Sequence, residues 1–233
     1  MNIQMRGKTA EVLLYEDIGG FFGITADMFI KEIKQLKDVS TINLRINSNG
    51  GNVFDGLAIY NYLKSSQSRV EVDIDGVAAS IASIIAMAGD EIRMAENGWM
   101  MIHDPWIVTG GTSDELRKTA DTMDGIRQSL LDTYVSRTGG DVNQISAMMK
   151  EETWLNASDA AEFGFTDQTV EGMAIAASVH KDWFKNIPEP LAKDKSVDHV
   201  EVIHEEPVVR TEAQQAARDR IAKFNNVARR YKL

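Results

Sequence analysis

Ser80 opens a run of small and apolar residues, Ser80-Ile81-Ala82-Ser83-Ile84-Ile85-Ala86-Met87-Ala88, that reads as a buried helix apolar nearly all round. A hydroxyl in the first turn of such a helix sits where unpaired backbone N–H groups and the positive end of the helix dipole converge. That setting suits a nucleophile whose product is an oxyanion, and it is also the ordinary setting of an N-cap. In Ile46-Asn47-Ser48-Asn49-Gly50-Gly51 an alternating strand runs into paired glycines. Such a turn leaves backbone N–H groups unshielded, which can serve an oxyanion or simply reverse the chain. His103 ends the apolar run Met100-Met101-Ile102, and Pro105 blocks its continuation. An imidazole at a strand end can act as a general base or be a hydrogen-bonded side chain and no more.

The elements that must position these residues alternate along the chain. A strand from Val12 to Ile18 leads through Gly19-Gly20 into a helix starting near Thr25, with Phe29, Ile33 and Leu36 on its apolar stripe. A strand from Thr41 to Ile46 precedes a helix from Val53 to Leu63, with Leu57 and Tyr60 as inward candidates. A strand from Arg69 to Asp75, turned sharply at Gly76, feeds the Ser80 helix, which Gly89 closes. Short strands follow at Glu91 to Met94 and Gly98 to Ile102. This alternation implies a sheet flanked by helices, with Gly51, Ser80 and His103 at strand ends, where ligand sites in α/β folds lie. Thr112 and Glu115 form a capping box for a long helix with Leu116, Ala120, Met123, Ile126, Leu130 and Tyr134 on one stripe. Capped helices at Asp141 to Lys150 and Asn156 to Gly164, then a strand at Asp167 to Val170, complete the pattern.

From about Glu11 to Val170 the chain resembles the Clp-type serine peptidases of the crotonase-like superfold. The family's nucleophile motif is matched by Gly76 to Ser80, its base motif by Met101-Ile102-His103-x-Pro105, and its oxyanion turn by Asn47-Ser48-Asn49-Gly50-Gly51. Asn49 replaces the usual proline, which changes the rigidity of the turn and keeps both glycines. The resemblance implies an α/β fold of repeated strand-strand-helix units with a protruding handle helix. It also implies a triad of Ser80, His103 and Glu152, with the backbone N–H groups of Gly51 and Ile81 as oxyanion donors. Glu152 comes from Glu151-Glu152-Thr153-Trp154-Leu155-Asn156-Ala157, where better-known members carry Asp. The signatures His103-Asp104-Pro105-Trp106 and Glu152-Thr153-Trp154 are most similar to the bacteriophage head maturation (prohead) proteases. That branch implies a protein substrate, capsid or scaffold, processed in the host cytoplasm or inside the prohead. In this family the 113–137 helix is the handle through which subunit rings stack, so a ring-type homo-oligomer is expected. The alternatives are an ATP-dependent Clp subunit of general proteolysis, a catalytically silent assembly protein, a CoA-binding crotonase relative and a Ser-Lys signal-peptide peptidase. About a dozen residues precede the expected first strand, shorter than the family's axial-loop region, which argues against an unfoldase partner.

Composition narrows the field further. The chain has 233 residues, 43% of them hydrophobic, a formal net charge of -10 and no cysteine. This excludes a disordered chain, a thiolate nucleophile and a disulfide framework, and argues against nucleic acid as a general partner. No apolar run approaches the roughly eighteen residues of a membrane span, and neither a membrane nor a cofactor or metal is expected. The expected domains are a peptidase domain at 1–171, a polar linker at 172–206 that includes the extended stretch Lys185 to Pro190, and an amphipathic basic helix at 207–233. In that last segment Ala217, Ile221, Phe224, Ala228 and Tyr231 share one face and basic residues outnumber acidic ones, which suits docking to an acidic capsid or scaffold surface or to the chain's own assembly, the alternative being an inert tail.

Overall fold

The computed structural model describes residues 1–20, 23–172 and 179–192. The compact unit Met1–Asp194 contains all of them, and the expected basic helix at 207–233 lies outside the described residues. The fold is a mixed α/β architecture. Its sheet runs β1 (Asn2–Arg6), β2 (Thr9–Leu14), β3 (Thr41–Ser48), β4 (Arg69–Ala79), β5 (Glu91–Ala95) and β8 (Gln168–Val170), parallel except for β1 against β2. β6 (Trp99–Ile102) and β7 (Thr153–Asn156) branch from this path, β6 parallel to the end of β4 and β7 antiparallel to β6.

Two strand expectations need correction. β1 was not foreseen, and the first long strand starts at Thr9 and ends at Leu14, Ile18 making only isolated bridges. β1 gives little periodic signal because Ile3 is the one residue of the strand that is not fully exposed. Nor does the chain turn at Gly76. β4 continues through it to Ala79, pairing first with β5 (Glu71↔Glu91 to Ile74↔Met94) and then with β6 (Val77↔Trp99 to Ala79↔Met101). Gly98 permits this branching: a Cβ there would lie 3.0 Å from the Ala95 carbonyl oxygen and 3.4 Å from that of Gly76.

Core packing fixes the helices. α1 (Ala26–Gln35), capped by the Thr25 hydroxyl, buries Phe29 and Ile33 as expected. α2 (Val53–Lys64) turns Gly56, Ile59 and Leu63 inward, leaving Leu57 and Tyr60 half-buried. The rotation has a steric cause. A Cβ on Gly56 would fall 2.1 Å from Ile81 Cγ1, so the missing side chain lets α2 press against α3 (Ile81–Ala86), every residue of which is buried. α4 (Ser113–Thr138) has the expected capping box but buries only Leu130, Leu131 and Tyr134, whereas Leu116 is 43% exposed. α5 (Val142–Lys150) and α6 (Ala157–Glu162) flank β7, and α7 (Glu189–Ala192) is a short final turn.

On the sheet face opposite Ile42, Leu44, Val72 and Ile74, charges are paired. Asp75 accepts from Arg45 Nε at 2.8 Å and from the Tyr15 hydroxyl at 2.6 Å, and Asp73 accepts from Arg93 Nε at 2.6 Å. A buried carboxylate needs such partners. Burial and the neighbouring Asp75 push the Tyr15 hydroxyl up to about 12.

Gly56→Ala is expected to destabilise the fold by about 1–3 kcal/mol, since Ile81 has no room to retreat. Urea unfolding of the variant beside the native chain measures this.

Candidate active site

Three registers converge on one point. Ala79 pairs with Met101, Met101 with Trp154, and Ile102 with Thr153. The next residues outward are therefore Ser80, His103 and Glu152. The Ser80 N–H donates to the Met101 carbonyl at 3.0 Å, and Ser80 Oγ lies 2.7 Å from His103 Nε2.

Ser80 is the turn itself. With φ 55° and ψ -128° it lies in a region that L-residues rarely occupy, and its side chain makes no capping bond, so the N-cap alternative is excluded. Such a backbone costs about 1–3 kcal/mol and persists only where its surroundings hold it. Here Ser83 does so: its N–H and its hydroxyl both donate to the Ser80 carbonyl, at 3.0 Å and 2.5 Å. With its proton so used, Ser83 Oγ accepts from the Tyr134 hydroxyl of α4 at 2.7 Å, which burial pushes up in pKa.

The glycine turn packs against the same corner. A Cβ on Gly50 would sit 2.6 Å from the Ala79 carbonyl oxygen and 3.0 Å from the Ile81 nitrogen, and one on Gly51 would sit 2.2 Å from the Ile18 carbonyl oxygen. Both glycines are at positive φ, 91° and 139°. The turn is pinned by Ser48, whose hydroxyl accepts from the Gly50 N–H and donates to the Glu16 carbonyl, and by Asn47, which accepts from the Val77 N–H. The N–H groups of Gly51 and Ile81 have no acceptor among the described residues. Two free donors beside a hydroxyl suit a developing oxyanion.

Glu152 is near His103 but is not hydrogen-bonded to it. Its Oε1 accepts from the backbone N–H groups of Lys185 and Asn186 at 2.6 Å and 2.7 Å. Its backbone, at φ 52°, is strained like that of Ser80. Burial lowers the His103 pKa, while the charges of Glu152 and Asp104 oppose the shift in part and that of Lys185 adds to it. The imidazole is thus neutral at neutral pH and able to take a proton.

Several residues at the site escaped sequence reasoning. Arg127 of α4 donates to Asp104 at 2.7 Å and to the Ser146 hydroxyl at 2.8 Å, tying the loop after His103 to α5. No sequence signal singles it out. Tyr134 was legible only as one member of an apolar stripe. Residues 179–192, part of the expected linker, instead pack on the domain. Phe184 lies edge-on to His103 with ring centroids 6.1 Å apart and to Trp154 at 5.4 Å. A cleft of about 840 Å³ remains between this segment, His103 and Glu152.

Residues 9–173 match the family model described as Clp protease. Among curated relatives, the ATP-dependent Clp protease proteolytic subunit 1 of Salinibacter ruber is 30% identical over 55% of this chain and 56% of its own length. Proteolytic subunit 3 of Rhodococcus jostii is 32% identical over 57% of this chain and 67% of its own length. Subunit 1 of Protochlamydia amoebophila is 33% identical over 54% and 63% respectively. The chain thus spans little more than half the length of the first of these relatives. Among solved structures, a mutant ClpP1 from Listeria monocytogenes is similar with a TM-score of 0.61 and 26% identity, covering 70% of this chain and 91% of that one.

Because glycine adopts the Ser80 backbone without strain, Ser80→Gly is expected to be about 1 kcal/mol more stable than Ser80→Ala. Denaturant unfolding of the two variants, which both lack the hydroxyl, isolates that strain.

Proposed function

Since the chain belongs to the Clp protease family, we propose that it is a serine endopeptidase using Ser80, His103 and Glu152. The observation that carries this reading is the 2.7 Å approach of Ser80 Oγ to His103 Nε2 at a strained turn beside two backbone N–H groups that have no acceptor among the described residues. In the proposed reaction Ser80 Oγ attacks the scissile carbonyl while its proton passes to His103. The C–N bond then breaks as His103 returns that proton to the leaving amine. Water, deprotonated by His103, hydrolyses the acyl-enzyme and regenerates the serine. Gly51 and Ile81 N–H groups bind the oxyanion, each such donor being worth about 3 kcal/mol. Glu152 stabilises the imidazolium.

The substrate is a protein. The signatures around His103 and Glu152 favour capsid or scaffold proteins processed during phage head maturation. The names of the relatives favour general, ATP-dependent proteolysis instead. Cleavage of an unstructured protein without nucleotide or unfoldase supports the first reading, and a strict requirement for both supports the second. We further read α4 as an assembly surface for a ring-type homo-oligomer. Its exposed Leu116 and the neighbouring Trp106, Ile107 and Val108, exposed by 59%, 56% and 86%, support this. The basic segment at 207–233 is proposed to dock on an acidic capsid or scaffold surface.

Prolonged exposure to a small fluorophosphonate is expected to add one adduct to the native chain and none to Ser80→Ala, read by intact mass. Its absence from native protein would leave a silent assembly role. His103→Ala should slow labelling by about 10³-fold or more, and Glu152→Gln by less. The labelling rate should fall as pH drops, with a midpoint below the ordinary histidine value of 6.5, because protonation removes the imidazole lone pair. Leu116→Asp should shift the particle mass measured by light scattering to smaller species.

A further inference from the structure

Residues 179–187 run along the whole candidate site. At the oxyanion turn, the His180 N–H donates to Asn49 Oδ1 at 3.2 Å and its ring pairs with Asp17 at 3.0 Å. Trp183 packs on the His180 ring, with centroids 4.6 Å apart. Phe184, 7% exposed, fills an apolar hollow of Val77, Ala79, Met101, Trp99 and Trp154 and meets His103 edge-on. At the acid, Lys185 and Asn186 donate two backbone N–H groups to Glu152, and the Asn186 side chain donates to the Glu151 carbonyl at 2.7 Å. One short stretch thus touches oxyanion turn, base and acid in succession, the path that a bound peptide must take to present a carbonyl to Ser80.

We propose that residues 179–187 are an internal occupant of the peptide cleft, a strap that packs on His103 and engages Glu152 until it is displaced. The inference rests on the serine-peptidase reading. The strap is built to come off. Val179 and Phe184 are its only buried apolar anchors, and Lys181 to Trp183, Lys185 and Asn186 are exposed. A segment with so few buried contacts opens at low free-energy cost. The fit is also imperfect, because the buried Trp154 indole N–H has no acceptor among the described residues, a donor that a substrate carbonyl could satisfy. With the strap in place the Glu152 carboxylate is bonded to it and not to His103. Departure of the strap uncovers the base and releases the acid together.

The test is the rate of fluorophosphonate labelling of the full chain, read by intact mass, for native protein, Phe184→Ala and Lys185→Pro. The first variant removes the buried anchor. The second deletes one N–H to Glu152 at an exposed position, and so remains informative should the first not fold. Each carries a Ser80→Ala counterpart as a blank, and thermal melting checks the fold. If the site is reachable only in the open fraction, loosening the strap should raise labelling roughly tenfold in both variants. Equal rates in all three would overturn the strap and leave the peptidase reading standing. Slower labelling in the variants would also overturn it, showing that the segment buttresses the acid. No adduct in any folded protein would remove the peptidase reading and the strap with it.

Discussion

The site depends on the hydrogen-bond register where β4 exchanges β5 for β6. Because side chains alternate faces along a strand, a slip of one residue between β4 and β6 would turn Ser80 away from His103, and a slip between β6 and β7 would do the same to Glu152. The register is specified by burial. Val77, Ala78 and Ala79 are fully enclosed, as are Met100, Met101 and Ile102 opposite them, so any other pairing would expose this core. The geometry of the site is therefore an outcome of sheet packing, and no flexible loop has to find it.

Against this rigid frame the chain stores strain at two of the three proposed catalytic positions. Ser80 and Glu152 both take a left-handed φ that their side chains disfavour. At Ser80 the holding forces are visible: a helix of wholly buried residues, the Ser83 and Tyr134 hydroxyls, and a glycine turn too close for any side chain. At Glu152 they include the N–H groups of Lys185 and Asn186, which lie beyond the last strand of the sheet. Ser80 is thus clamped from within the core, whereas Glu152 is held from a surface segment. The two halves of the site differ in how firmly they are set.

Much of this was legible in the sequence, for identifiable reasons. Strand ends near His103 and Gly51 followed from alternation broken by proline and glycine, and the helix caps followed from Thr112, Asn156 and Asp141. Glu152 came from resemblance alone, because an acid before a short strand carries no periodic signal. What escaped was decided by tertiary contact. Gly76 looks like a turn locally but lies inside a strand. Gly56 faces inward only because Ile81 is there. Arg127 reads as one more charge on a solvated helix until Asp104 and Ser146 meet it. The segment 179–187, with its charges and nearby prolines, has linker composition, and its role rests on one phenylalanine and two backbone amides.

α4 is a rod fixed at one end. Tyr134 braces the turn that carries Ser80 and Arg127 braces the loop after His103, while the first half of the helix leaves the core behind. A stiff rod transmits torque over its full length. Under the assembly role proposed for α4, a second subunit bound at the free end would act on the surroundings of Ser80 and His103 at once, and by thermodynamic reciprocity their state would change how strongly that end is bound.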